Sequence, residues 1–397
     1  TITVTDGPAA ASDLSTVHGI TSVVVDATAV VSITGTSAEI KAVINAGDLD
    51  ISTGVNFIVV NPVVGGLAEA EALDLAFIDD NTTGSVDASQ INIINGTVAD
   101  VAALQVDADA GTITLGEFDP VYYTAQIIDP SPLAPVLASE IITVAADSGG
   151  DVNIKSITSI QGSHTEISSV LANAAILKSA APAYNLIVTD SITVSDSNTL
   201  DAYTTGAITA AITEGDLNTL TTLEDVNNNN ALTVTVTDAS AAASDLSLVD
   251  GITSVAVVAT AVGTITGTAS EIITAAQSTG ITTAADYAAT VNSGTASVAQ
   301  VNTLDGDTTG AITATITDND LAVLTGLNDA NDNNALTIAV TNTTASAANL
   351  QIVDDKTTLQ IDATEVVSLT GTSDNVMAVT NAAGVLLDGN YNATVSG

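Results

Sequence analysis

The sequence has no cysteine, no tryptophan, one methionine, seven prolines and only 2% aromatic residues. Its cations are four lysines, with no arginine, against 46 acidic residues, for a formal charge of −42. Each scarcity excludes something. Without cysteine there is no disulfide framework and no thiolate metal centre. Without a cationic face the chain cannot follow a phosphate backbone or settle on an anionic lipid surface. No apolar run reaches the roughly 18–20 residues that a membrane helix needs. The partners expected are therefore neither nucleic acid nor membrane. The charge instead favours divalent cations and a salty medium that screens self-repulsion.

Hydrophobic residues still make up 46% of the 397 positions. Most are Ala, Val, Ile and Leu, so disorder is not expected despite the charge. The expected core is narrow, layered and built from small aliphatic side chains.

The chain repeats itself. GAITAAITEGDLNTLTTLEDVNNNNALTVTVTD from Gly206 aligns without a gap on GAITATITDNDLAVLTGLNDANDNNALTIAVTN from Gly310, an offset of 104 residues. A partial third copy, residues 3–40, matches residues 235–272. Strand-like segments starting near Ala207, Ala231, Thr253 and Tyr287 alternate with short helical or turn-like pieces. In ALTVTVTD and AITATIT the aliphatics alternate with threonines, which predicts an inward aliphatic row and an outward threonine row. Strand and short helix recurring every ~20–30 residues predict a repeat solenoid. The expected architecture is mainly parallel β with a short helix or turn per coil, a right-handed and elongated β/α solenoid. Its blocks are residues 1–117 and 137–397, the latter holding the repeats 206–309 and 310–397. Residues 118–136 carry Pro120, Pro130, Pro132 and Pro135 and predict a linker or irregular crossing segment.

A hexamer marks the helices: GTSAEI (35–40), GTVADV (96–101), GSHTEI (162–167), GTASEI (267–272) and the degenerate GTSDNV (371–376). Its Thr or Ser is the expected N-cap, and the acid three residues on closes a capping box. Glu39, Glu166 and Glu271 are accordingly read as caps. The glycine is read as the sharp turn that ends the preceding strand.

Two loops carry the candidate chemistry. Asp225, Asn227 and Asn229, and likewise Asp329, Asn331 and Asn333, spell D-x-N-x-N. Alternate oxygen side chains on a tight loop can converge on calcium. An EF-hand is excluded, because the sixth and twelfth positions hold Asn230 or Asn334 and Val236 or Val340. The other reading is a polar turn in which Asn side chains bond their own backbone between helix and strand. Asp107, Asp109, Asp147 and Asp151 are weaker calcium candidates on the same logic. The two histidines, His18 and His164, are expected to lie on the surface. No catalytic constellation, P-loop or dinucleotide motif stands out, so the expectation is not an enzyme.

The phrases EGDLNTLTTL (214–223), VAQVNTLDGDT (298–308) and VDATAVVSITGTSAEI (25–40) resemble the long repetitive surface proteins of cyanobacteria and other marine bacteria, the β-strand-repeat or adhesin-like proteins. The resemblance implies secretion, a cell-surface or matrix location and calcium dependence. Together the residues and the resemblance predict a secreted structural protein of a surface layer, sheath, filament or adhesin stalk, assembling with itself. A glycan-binding adhesin or phage-type fibre module is the alternative, with surface glycans as partners, and a polysaccharide-active enzyme is the third. No leader-like stretch opens the chain. Both ends cut through the repeating pattern, so a fragment of something longer is expected.

Overall fold

The computed structural model describes residues 1–5, 7–118, 121–129, 134–179 and 182–396. Pro120, Pro130 and Pro132 lie outside the described residues, as does Gly397 of the last repeated phrase. The fold is α/β, with fourteen helices and mostly parallel sheets among the described residues. Antiparallel ladders join Val63–Val64 to Leu67–Glu71 and Glu117–Phe118 to Val121–Tyr122. Two compact units result. One comprises residues 1–190 with 199–209, the other residues 191–198 with 210–397.

Within each unit the same step recurs. In the first, Pro8 pairs in parallel with Ser32, and Ser32 with Asn56. In the second, Ser240 pairs with Thr264 and Thr264 with Ala288. A second ladder runs in step with each, linking Val25 to Leu49 and Val257 to Ile281. A step therefore holds two strands and a helix, where the sequence suggested one strand. The difference lies at the corner between them. In VDATAVVSITG, Asp26 Oδ1 accepts hydrogen bonds from the Thr28 N–H at 3.1 Å and the Thr28 hydroxyl at 2.6 Å. That turn separates Val25–Ala27 from Ser32–Gly35. Asp362 and Thr364 repeat it. Strands of three to five residues show too few alternations for a period of two to reveal where one stops.

Burial follows the alternation where it was legible. Leu232, Val234, Val236 and Ile312 are fully buried, and Ala314 and Ile316 are buried. The interior is mostly Ala, Val, Ile and Leu, with Phe57 and Tyr287 the largest side chains wholly inside. Of residues 118–136, Thr124–Ile127 form a regular strand between Ile93–Gly96 and Val152–Asn153.

The hexamers do what their chemistry implies. Thr36 with Glu39, Thr97 with Asp100, Ser163 with Glu166, and Thr268 with Glu271 all close reciprocal capping boxes. Such a cap contributes about 1 kcal/mol. At GTSDNV only the first half forms, with Thr372 accepting from the Asn375 N–H. Ser297 with Gln300 closes a further box that the hexamer pattern misses, since the position before Ser297 is Ala296.

Of the hexamer glycines Gly267 takes a positive φ, 150°, as a turn requires, whereas the others have a different reason. A Cβ on Gly35 would lie 2.7 Å from the Ala11 Cβ, and one on Gly162 would lie 2.9 Å from the Ala138 Cβ. Ala11 and Ala138 each open the preceding helix, and those helices have no side-chain cap. Uncapped and boxed helices thus alternate through the first unit, and Gly on Ala lets them approach. Lys41 adds a link between consecutive helices, pairing with Asp74 and lying 5.6 Å from the Phe77 ring centroid.

No helix among the described residues is long and apolar enough to cross a membrane.

Candidate functional site

Each D-x-N-x-N loop joins a one-turn helix, Leu217–Leu220 or Leu321–Leu324, to a strand, Ala231–Thr233 or Ala335–Thr337. The first aspartate folds back on its own loop. Asp225 Oδ2 accepts from the Asn230 N–H at 2.9 Å. Asp329 accepts through Oδ1 from the Asn333 N–H at 3.3 Å and through Oδ2 from the Asn334 N–H at 3.4 Å. Asn228 and Asp332 take the left-handed conformation, with φ of 54° and 53°. Asn and Asp tolerate that region best among residues with a side chain, which accounts for their place at the tip.

The loops are therefore built as self-bonded turns, and the ligand question narrows to which oxygens remain. Asn227, Asn229 and Asn331 are exposed. Asn333 donates from Nδ2 to the Thr309 carbonyl at 3.1 Å. Two oxygens, Asp225 Oδ1 and Asn333 Oδ1, are buried without a hydrogen-bond partner. They are the atoms in these loops that fit a hard cation. No three carboxylate or imidazole side chains converge as metal ligands among the described residues.

The structure adds two residues that the spacing did not suggest. Asn334 is fully buried, and its Oδ1 accepts from the Ile312 N–H at 2.9 Å while its Nδ2 donates to Asp305 Oδ1 at 3.4 Å. Asp305 also accepts from the Ala330 N–H at 3.3 Å. The signal was present in the identity of Asn230 and Asn334 across the repeat. It was read only as a failed EF-hand glycine.

A second set of acids serves the joints between steps. The N–H that opens a helix is accepted by a side chain from the following step: Ser37 by Asn61 at 2.8 Å, His164 by Asp190 at 2.7 Å, Leu217 by Asp238 at 2.8 Å, Val298 by Asp318 at 2.7 Å and Leu321 by Asn342 at 2.6 Å. Each places a carboxylate or amide oxygen at the positive end of a helix. Three of these five acceptors are carboxylates, so part of the acidity is structural. Threonines fasten the opposite corner. Thr82, Thr204, Thr253, Thr308 and Thr357 each donate to a carbonyl one step back, of Val55, Tyr184, Leu232, Tyr287 and Leu336.

His18 sits in the last turn of Ala11–Gly19, and His164 opens its helix. Of the weaker acidic candidates, Asp109 and Asp147 come to the mouth of one cavity. Comparison with known protein families, with curated proteins and with solved structures gives no match to this chain.

Proposed function

We propose that the chain is a structural protein of a cell surface, secreted and assembling with itself, in which a right-handed β/α solenoid forms the stalk, sheath or lattice element. The observation that carries this reading is the recurrence of one joint. A helix-opening N–H meets an Asp or Asn oxygen of the following step in both units, at 2.6–2.8 Å. Steps held this way extend by copy number, the energetic logic of repeat proteins.

Small-angle scattering tests the shape. A compact globule of this length has a radius of gyration of about 21 Å and is about 55 Å across. About fourteen steps, one for each helix, stacked at ~4.8 Å would give a rod of about 67 Å. A maximum dimension near the globule value removes the solenoid reading.

Calcium belongs to the proposal through Asp225 and Asn333, whose buried Oδ1 atoms lack hydrogen-bond partners. Those loops would hold the ion, with Asp329 beside Asn333 in the second. The ion would neutralise charge and brace the loop. Thermal melting with calcium and then with EGTA is the check. A rise of several degrees that EGTA reverses is expected, larger than magnesium produces. Equal melting temperatures in calcium and EGTA at fixed ionic strength end the calcium part and leave the solenoid standing.

A further inference from the structure

Among the described residues, a six-stranded sheet of the first unit ends on Val63–Val64, which pairs only with Leu67–Glu71. Gly65 and Gly66 close the turn between the two strands, with φ of 65° and 97°. Two positive φ values in a two-residue loop are the type I′ hairpin, whose twist matches that of its strands. Val64 and Leu67 flank the turn and Val63 lies opposite Ala68. In that register Val64 and Leu67 exchange hydrogen bonds, and Val63 turns its N–H and C=O to the open edge. The side chains around this edge are apolar and bare: Val60, Val63, Val64 and Leu67 are 42%, 65%, 73% and 43% exposed.

The surroundings carry no charge. From Ile51 to Ala68 the sequence has no Asp, Glu, Lys or His. A groove of about 420 Å³ opens at the foot of the hairpin, lined by Val60, Asn61 and Val63 and by Ser89 and Gln90 of the next corner. None of the residues around it is charged. Two copies of a chain with a formal charge of −42 repel each other, and carboxylates brought face to face oppose contact. A surface free of carboxylates is where such copies can meet.

The open edge says how they meet. The outward N–H and C=O of Val63 match the same pair on a second copy turned about a two-fold axis, so one strand completes the other. Pro62 has no N–H and ends the edge, which confines the ladder to this pair and stops it from growing. We infer that this hairpin is a contact between two copies of the chain, with the Val63–Val64 strands paired antiparallel and Val60, Val64 and Leu67 packed around them. The inference rests on the reading of the chain as self-assembling, and it names one face that does it. Glu69 stands exposed on the Leu67 face of its strand, so the contact needs salt to screen that pair of like charges.

The test is sedimentation equilibrium of the whole chain in about 0.5 M sodium chloride. A monomer–dimer equilibrium is expected, with Kd on the order of 10 μM, as suits a small interface. Val64→Asp is expected to raise that Kd at least about tenfold, because it sets two further carboxylates against each other. Circular dichroism checks its fold. Val63→Cys gives a readout that does not depend on weakening the contact. The chain has no other cysteine. Directly paired residues of antiparallel edges lie about 5.5 Å apart at Cα, within disulfide reach. Oxidation is expected to join Val63→Cys chains into a covalent dimer, whereas Leu248→Cys, exposed in the second unit, stays monomeric. If the chain associates but Val64→Asp associates equally well, or Val63→Cys cross-links no faster than Leu248→Cys, this face is wrong and self-assembly stands. A chain that is monomeric up to about 300 μM overturns both. Binding to phosphatidylcholine vesicles that Val64→Asp abolishes assigns the hairpin to lipid, and that too overturns the inference.

Discussion

Replacing Gly310 with alanine is expected to destabilise the second unit by about 3 kcal/mol or more. A Cβ there would lie 2.2 Å from the Tyr287 carbonyl oxygen and 2.5 Å from that of Asp286. Both obstacles are backbone, so no side-chain rotation relieves them. The neighbouring threonine holds the approach closed. Thr308 Oγ1 donates to the Tyr287 carbonyl at 2.6 Å and accepts from the Gly310 N–H at 3.0 Å. Gly206 meets Tyr184, and Gly84 meets Val55, in the same way. The control is Gly306→Ala, in the helix Val298–Asp307, where nothing lies within 4 Å of the new carbon. That change is expected to stabilise by about 0.5–1 kcal/mol, since alanine restricts the unfolded chain. Urea titration followed by circular dichroism reads both. A Gly310→Ala chain as stable as the parent means that the steps do not approach through this corner.

The second large effect is expected at Asn334. Asp305 and Asp329 both bond it, one through its side-chain amide and one through its backbone N–H. Asn334→Asp would turn the amide donor into a third carboxylate oxygen, fully buried, facing Asp305. The cost at neutral pH is expected to be about 3 kcal/mol. Its sign with pH is distinctive. Burial and two like charges raise the folded-state pKa of the new carboxyl above its unfolded value. The penalty is therefore full above that raised pKa and shrinks as pH falls through it. The variant should approach the parent in stability as pH drops toward the unfolded carboxyl value of about 4. Asn334→Leu, with no group to titrate, should remain destabilised throughout. A deficit in Asn334→Asp that is the same across this range would show that the three groups do not share one electrostatic site. Other acids work in the opposite direction. The hydroxyl and N–H of Thr28 hold Asp26 below the ordinary carboxylate range, and Thr364 does the same for Asp362. Their contribution is present above the unfolded value and is lost as pH falls through the lowered one.

Of the candidate residues, the caps were the most legible. A capping box is local: three residues and a backbone turn complete it, so Thr36 and Glu39 declare themselves without any knowledge of the fold. The loop aspartates were half legible. Their spacing suggested converging oxygens, whereas Asp225 and Asp329 direct oxygens at their own backbone. The cavity at Asp109 and Asp147 was not legible. Gln105 and Tyr123, which line it, are 18 residues apart, and Val144, which Gln105 also bonds, is 39 residues from Gln105. Nothing in their spacing says that one helix lays its amide between a phenol and the carbonyl of the next.

The sequence by itself determined the chemistry of each step: the repeat of 104 residues, small aliphatic interior positions, helix caps and an acidic surface. These follow from short-range rules, alternation and capping, which need only neighbouring residues. The tertiary structure alone decided how steps meet. Gly35 stands on Ala11, Thr308 fastens to Tyr287, and Asp318 caps Val298. Those pairs lie 20–24 residues apart, and their partners are chosen by the parallel register of short strands. A slip of one residue would turn every side chain to the opposite face.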